Sequence, residues 1–186
     1  MKQKLTVILV LFLCGVVTCH AQKQGQQRID SLLSELAKAK EVTMKVELYA
    51  AIMYLHIYYK TEDGLVYQKP ALELAEKLNW KYGIAKIKDR AGRLNWRLGN
   101  FDEALKNHFE ALKIYTPAGR KTDAAYVLVE IGQDYLDGNK YADAETWLLR
   151  AKQECEAIGD KRIIADVYDK LTYMYDMQGN KPGKAA

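Results

Sequence analysis

The stretch KYGIAKIKDRAGRLNWRLGNFDEALKNHFEALKIYTPAGR, residues 81–120, is followed directly by a second version of itself, KTDAAYVLVEIGQDYLDGNKYADAETWLLRAKQECEAIGD, residues 121–160. Aligned from their first residues, Lys81 and Lys121, the two versions share small or aromatic residues at Ala85/Ala125, Gly92/Gly132, Phe101/Tyr141, Ala104/Ala144, Ala111/Ala151 and Gly119/Gly159. A fixed period of this length indicates supersecondary units that bury their apolar faces only by stacking on their neighbours.

Two weaker copies flank this central pair in the same register. Residues 41–80 place Ala51, Ala71 and Leu74 on Ala91, Ala111 and Ile114. Residues 161–180 match the first half of a unit, with Ala165, Val167, Leu171 and Tyr175 on Ala125, Val127, Ile131 and Tyr135. The chain therefore contains about three and a half repeats.

Within a unit the apolar residues recur every three or four positions, as on one face of a helix. The first stripe is Ile84, Ile87, Ala91 and Leu94, and the second is Ala104, Phe109, Ala111, Leu112 and Tyr115. Gly99-Asn100, Gly138-Asn139 and Gly179-Asn180 separate such stripes, and glycine tolerates the left-handed conformation at a helix end. Asn100 with Glu103 resembles a capping box. Each unit is predicted to be helix A, a tight turn and helix B.

Two prolines interrupt this pattern. Pro70 falls inside the first helix B, where it removes an amide and predicts a kink or a restart. Pro117 comes late in the second helix B and predicts that this helix ends near Tyr115.

The repeated residues resemble the tetratricopeptide family, in its long-helix variety with a period near 40. The resemblance covers roughly residues 43–180 and rests on Ala91-Gly92, Gly99, Phe101, Ala104 and Ala111, and on Ile131-Gly132, Tyr135, Gly138, Tyr141, Ala144 and Ala151. It departs from the pattern at Ile52, Gly64 and Thr172. The resemblance implies an all-α, right-handed α-solenoid whose A helices line a concave, peptide-binding groove. The carboxylate clamp of some members needs Lys and Asn where this chain has Tyr49 and Met53, which disfavours that class of partner.

The N-terminal segment, residues 1–21, is typical of a secretory signal peptide. Lys2 and Lys4 precede the apolar run 5–17, and Cys19-His20-Ala21 ends it. The competing interpretation is a lipoprotein anchor on Cys19, and only this interpretation predicts contact with a membrane. Thr18 disfavours it, because lipoprotein signals have a small residue at that position. The predicted organisation is a signal peptide at 1–21, a polar lead-in and short N-terminal helix at 22–42, the solenoid at 43–180 and a tail at 181–186. The protein is expected to be periplasmic or secreted.

Composition excludes several classes of function. The net charge of +4 falls to +2 once Lys2 and Lys4 are removed, which indicates neither a nucleic-acid partner nor an anionic membrane surface. His56, His108 and Cys155 stand alone rather than at metal-ligand spacing, and no glycine-rich loop is placed to hold phosphate. We therefore expect no catalytic residue, cofactor or metal, and we expect Cys155 to be a core residue.

The solvent stripe of the second helix A carries the candidate binding site. Lys86, Arg90, Arg93 and Arg97 lie on one helical face, and Trp96 flanks them. Such a stripe suits a carboxylate, a phosphate or an acidic peptide. The alternative is that Arg90 pairs with Glu130 and Arg97 with Asp137 in the next repeat, which leaves Lys86 and Arg93 opposite Tyr126 and Gln133.

The first helix A carries a different stripe, consisting of Val46, Tyr49, Met53, His56 and Ile57. It is either buried beneath the N-terminal helix or an apolar pocket for a peptide side chain. Candidate partner-binding residues are therefore Tyr49, Met53, Lys86, Arg90, Arg93, Trp96, Arg97 and Tyr126.

The last helix, 163–177, has no helix B to cover it. Tyr168, Tyr173, Met174 and Met177 leave apolar surface there, which predicts docking on another protein or self-association.

The sequence as a whole favours an exported scaffold that binds a protein or peptide without catalysis. The alternative is a sensory input module of a two-component system, because exported repeats of this kind resemble the regions that precede the kinase core in bacterial envelope sensor kinases.

Overall fold

A computed structural model describes residues 23–179. In chain order the helices are α1 (23–38), α2 (Val42–His56), α3 (Thr61–Gly64), α4 (Gln68–Lys77), α5 (Lys81–Arg97), α6 (Phe101–Tyr115), α7 (Lys121–Asp137), α8 (Tyr141–Ile158) and α9 (Lys161–Met177). No strand occurs within residues 23–179, so the predicted all-α solenoid is confirmed. The predicted signal peptide and the tail at 181–186 lie outside the described residues.

The helices pack in sequence order. Helices α5 and α6 form one antiparallel unit and α7 and α8 the next, and α6 packs on α7 as α8 packs on α9. The A helices are α2, α5, α7 and α9, and each contacts the next along the array. Buried apolar side chains form one cluster among α2, α4 and α5 and a second from α5 to α9. The core therefore extends both within each helix pair and between neighbouring units.

Small residues allow the helices to approach one another. Six of the repeated alanines are fully buried, namely Ala91, Ala104, Ala111, Ala125, Ala144 and Ala151. A Cβ atom on Gly92 would overlap the ring of His108, and one on Gly132 would lie 2.6 Å from a methyl group of Leu148. Both glycines are thus required by the close crossing of helix A over helix B.

The turns between helices differ from the prediction in two details. Gly99 has the expected left-handed φ of 78°, but Gly138 has φ −76°, and Asn139 takes the left-handed position with φ 59°. Asparagine can replace glycine there because its short polar side chain tolerates this region. Asn100 does not cap α6 through its side chain, so the predicted capping box is wrong. Its Nδ2 donates to Asn95 Oδ1 over 3.4 Å instead.

Both prolines act as predicted. Helix α6 ends at Tyr115, two residues before Pro117, and has 15 residues where its counterpart α8 has 18. The first helix B is broken into α3, a 3-10 turn at Leu65–Tyr67, and α4. Pro70 is the third residue of α4, where an amide has no partner within the helix in any case.

The N-terminal region is more helical than predicted. Helix α1 is described from residue 23, so most of the expected polar lead-in belongs to it. Gly25 packs against the ring of Tyr59, and Ile29 is buried, which anchors the polar turns of this helix. The apolar stripe of α2 is buried by other elements, because Val46, Met53 and Ile57 cluster with residues of α4 and α5.

The last helix exposes less apolar surface than predicted. Tyr168, Tyr173 and Met177 are exposed, but Met174 is fully buried in the core of the last units. Self-association through this end stays a prediction. In the part of the chain from 23 to 179, no helix combines the length and apolar character needed to cross a membrane.

The Gly92 crossing generates a stability prediction. Gly92→Ala should lower the free energy of unfolding by about 1 to 3 kcal/mol, because the buried His108 ring cannot move aside for the added methyl group. Gly132→Ala is the matched control, and it should cost less because no hydrogen bond fixes the side chain of Leu148, whereas Asp134 holds the ring of His108. Urea denaturation of both variants measures the difference. A larger loss for Gly132→Ala would contradict this account of the crossing.

Candidate functional site

The exposed faces of α2, α5 and α7 form one surface, here called the groove, which holds two adjoining cavities. The first, of about 320 Å³, lies among α1, α2 and α5. The second, of about 300 Å³, continues along α5 to α6 and α7. Tyr54 and Arg90 line both cavities, so the two are parts of a single depression.

Two cations that were expected to lack acidic partners are paired. Lys86 Nζ donates to Glu47 Oε2 on α2 over 2.5 Å. Arg93 forms ion pairs with Asp89 over 3.3 Å and with Glu130 over 2.9 Å. The prediction for Lys86 and Arg93 is therefore wrong.

The other two cations do not pair as expected either. Arg90 binds Asp89 over 2.5 Å, and its guanidinium carbon lies 5.0 Å from the centre of the Tyr54 ring, so it does not pair with Glu130. Arg97 donates to the backbone oxygen of Ile57 over 3.1 Å instead of pairing with Asp137. Long side chains lean along their helix, so contacts between repeats do not keep the register of the sequence repeat.

Asp89 binds two of the arginines in the groove. It is buried and accepts from both Arg90 and Arg93. Burial alone would raise the pKa of this carboxyl group, but the two arginines outweigh burial and hold the pKa below its ordinary value. Burial alone would lower the pKa of Arg93, but Asp89 and Glu130 raise it. Both groups are therefore charged at neutral pH, and much of the positive charge in the stripe is neutralised.

A further set of polar contacts joins α5, α7 and α9. The indole nitrogen of Trp96 donates to Asp137 over 2.5 Å, and Gln133 donates to the same carboxylate over 2.7 Å. Lys170 on α9 donates to Gln133 Oε1 over 2.9 Å and pairs with Asp166 over 3.2 Å. Trp96 thus holds neighbouring helices together.

The other three predicted binding residues differ in their exposure to the groove. Tyr126 is half-buried and lines the second cavity. Tyr49 is half-buried, with its ring 6.2 Å from that of Tyr67, and packs against the first core cluster. Met53 is fully buried and does not line the groove, because α4 and α5 cover its face of α2.

Sequence reasoning missed a buried pair, His108 and Asp134. His108 Nδ1 lies 2.6 Å from Asp134 Oδ2, and the two side chains are 0% and 1% exposed. The internal repeat contains the signal, because the equivalent positions of the neighbouring copy hold Leu148 and Leu94. A histidine and an acid thus stand where the adjacent copies have core leucines.

Burial and the hydrogen bond between the two side chains shift the pKa of each group in opposite directions. Burial raises the pKa of Asp134 to about 6, although the hydrogen bond from His108 opposes this shift. Burial alone would lower the pKa of His108, but the hydrogen bond and charge of Asp134 raise it above its ordinary value.

The free cysteine and the acids of residues 23–179 were the other candidates for chemistry. Cys155 is buried as predicted, and burial raises the pKa of its thiol to about 11. In residues 23–179, no cluster of three or more His, Cys, Asp or Glu side chains is arranged to hold a metal ion.

Comparison with solved structures places this fold among known helical-repeat proteins. A signal transduction ATPase with numerous domains from Pyrococcus horikoshii, described as having a tetratricopeptide repeat sensor, superposes with a TM-score of 0.70 at 22% identity, over 82% of this chain and 25% of that one. The fold is tetratricopeptide-like.

Two further tetratricopeptide-like superpositions cover most of the chain. The apo form of RapI gives a TM-score of 0.70 at 18% identity, over 85% of this chain and 45% of that one. BtubC from P. vanneervenii gives a TM-score of 0.67 at 18% identity, over 86% of this chain and 66% of that one. The chain spans less than two thirds of each of these proteins.

One curated protein has similar sequence. The outer dynein arm-docking complex subunit 4 of Xenopus laevis is 30% identical over 99 residues, which are 53% of this chain and 18% of that protein. No family model matches the chain.

The buried pair generates a second prediction. His108→Leu alone should lower the free energy of unfolding by about 3 kcal/mol, because it leaves Asp134 buried without its partner. The double variant His108→Leu/Asp134→Leu places at each position the leucine that the adjacent copy has there, and it should unfold within about 1 kcal/mol of the unmodified protein or be more stable. Chemical denaturation of the two single variants and the double variant gives the coupling energy. Additive losses would contradict a coupled pair.

Proposed function

We propose that this chain is a non-catalytic scaffold that holds a segment of a partner protein in the groove. The observation that carries the proposal is the continuous depression formed by two cavities of about 320 and 300 Å³ that share Tyr54 and Arg90. Tyrosine and arginine are among the side chains enriched at the dominant contacts of protein interfaces.

The first cavity sets the chemistry of the partner. Its lining holds Arg28, Lys86 and Arg90, of which Lys86 pairs with Glu47 and Arg90 with Asp89. Among residues 23–179, Arg28 has no acidic partner within ion-pair distance. Leu32 adds apolar surface beside these cations. An acidic side chain next to an apolar one fits this lining, with Arg28 as the donor and the Tyr54 ring as a contact surface.

The names of similar proteins support a role in binding. The Xenopus protein is named as a subunit of a docking complex, and the Pyrococcus protein carries a repeat sensor. The second of these favours the alternative proposal, in which the chain is a sensory input module whose ligand state is passed to a partner protein.

We also propose that the protein is exported to the periplasm or secreted. The proposal rests on the two lysines and the apolar run before Ala21. In the alternative, Cys19 carries a lipid that anchors the protein to a membrane.

Peptide selection tests the groove. Peptides selected from a random library on the unmodified protein should be acidic and should bind Arg28→Ala/Tyr54→Ala at least about tenfold more weakly, as expected for the loss of dominant contacts. Fluorescence anisotropy with labelled peptides measures the affinities. The matched control is Arg150→Ala/Tyr168→Ala, since Tyr168 and Tyr54 are similarly exposed, at 44% and 39%, and neither control residue lines the two cavities.

The control should bind with unchanged affinity. Equal binding by the groove variant and the unmodified protein would remove the basis for the groove proposal.

Export has its own test. The full chain expressed in a bacterial host should appear outside the cytoplasm with Gln22 as its first residue, as determined by mass spectrometry of the intact protein. Cys19→Ala should not change this outcome. A lipid-modified N-terminus at Cys19 that disappears in the variant would establish the anchored form, and a cytoplasmic protein that retains residues 1–21 would exclude both.

A further inference from the structure

A separate cavity, here called the B-helix cavity, is lined by the two B helices α6 and α8 and by the first half of α7. Its volume is about 190 Å³, and it shares no lining residue with either cavity of the groove. Four apolar side chains line it, namely Leu112, Ala124, Ala125 and Leu128. Leu112, Ala125 and Leu128 are buried in the core of the last units, so the cavity reaches down to that core.

The B-helix cavity lies where the third repeat lacks apolar bulk. Every other copy has a larger apolar residue at the position of Ala124, namely Met44, Ile84 and Ile164. Glu154 likewise stands where the preceding copy has Ile114. Ile84 and Ile114 pack against the core clusters. The missing side chains leave apolar surface without contacts, which is unfavourable until another group occupies the space.

The charges around this space also differ between the two central repeats. In the second repeat, Lys88 and Glu110 form an ion pair over 2.7 Å. The equivalent residues of the third repeat are Leu128 and Arg150, both of which line the B-helix cavity. An acid has thus been exchanged for a cation, and its cationic partner for an apolar residue.

The cations of the B-helix cavity have no acidic partner among residues 23–179. Lys121 and Arg150 both belong to the lining, and neither has a carboxylate within ion-pair distance. Arg150 lies with its guanidinium carbon 5.3 Å from the centre of the Trp147 ring. Glu154, the acid of the lining, pairs with neither cation, so the lining keeps a net positive charge.

We propose that the B-helix cavity binds a compact apolar group that carries a carboxylate. The apolar part occupies the space beside Ala124, and the carboxylate lies at Lys121 and Arg150. An apolar cavity of about 150 Å³ is large enough for benzene, so this one has room for a phenyl ring or a branched chain of similar size. Arginine can donate two parallel hydrogen bonds to a carboxylate.

Such a group comes either from a free organic acid or from the C-terminal residue of a partner polypeptide. The site does not depend on occupation of the groove.

Nuclear magnetic resonance of the ¹⁵N-labelled protein tests the B-helix cavity with phenylacetate. This ligand should shift the amide signals of Gly119 and Leu128, which line the cavity, in a saturable manner. Phenylacetamide has nearly the same shape without the charge and should bind several-fold more weakly. Acetate has the charge without the ring and should give no saturable shift at equal concentration. N-acetyl-phenylalanine represents a C-terminal residue, and whichever phenyl acid binds more tightly identifies the source.

Two variants separate the apolar part of the site from the charged part. Ala124→Ile introduces the residue of the second and fourth copies and should lower the affinity for phenylacetate at least about tenfold, while the urea midpoint does not fall. Lys121→Ala/Arg150→Ala changes exposed positions and should weaken phenylacetate to the level of phenylacetamide, whose own affinity should not change. The groove variant Arg28→Ala/Tyr54→Ala is the control and should bind phenylacetate as the unmodified protein does.

Four results would overturn the proposal. The first is that no phenyl compound gives saturable shifts, and the second is that phenylacetamide binds as tightly as phenylacetate. The third is undiminished binding by Ala124→Ile or by Lys121→Ala/Arg150→Ala. The fourth is an equal loss of binding in the groove variant, which would place the ligand in the groove instead.

Discussion

The close crossing of neighbouring helices is the constraint on which the rest of this structure depends. No helix pair buries its apolar face by itself, so each unit needs the next to complete its core. The crossings require alanine or glycine, and Ala111 and Ala151 are fully buried at equivalent places. The array therefore derives its stability from contacts between neighbours, and Cys155, the free cysteine of residues 23–179, takes part as a packed side chain.

Features set by local backbone chemistry could be predicted from the sequence. The repeat predicted the helix pairs. Pro117 predicted the end of α6, because proline has no backbone N–H to donate to a helical hydrogen bond, whatever its surroundings. Side-chain pairing could not be predicted in the same way. The expectation that Arg90 meets Glu130 assumed that contacts follow the repeat register strictly, whereas Arg93 makes that contact. The His108–Asp134 pair was visible only as two departures from leucine.

The cations of the groove mainly stabilise the packing of the helices. Three of them, Lys86, Arg90 and Arg93, bind an acid on their own or an adjacent A helix. Their ion pairs neutralise much of the positive charge, and those of Lys86 and Arg93 hold α2, α5 and α7 side by side. What remains for recognition is the edge of the row, where Arg28 and the aromatic face of Tyr54 border open space. Rigid, internally paired side chains of this kind offer a partner a preformed surface, which lowers the entropy lost on binding.

His108 and Asp134, which occupy positions held by leucine in the adjacent copies, also determine which repeat packs against which. Units of the same architecture can in principle pair with the wrong neighbour, within one molecule or between two molecules that exchange segments. If α9 took the place of α7 against α6, His108 would meet Met174, the counterpart of Asp134 in the last repeat, and would be buried without an acid. That mispaired state carries an unsatisfied buried donor, whereas leucines at both positions would have fitted either neighbour. The second repeat is thereby matched to the third, as a single polar residue fixes the register of a coiled coil.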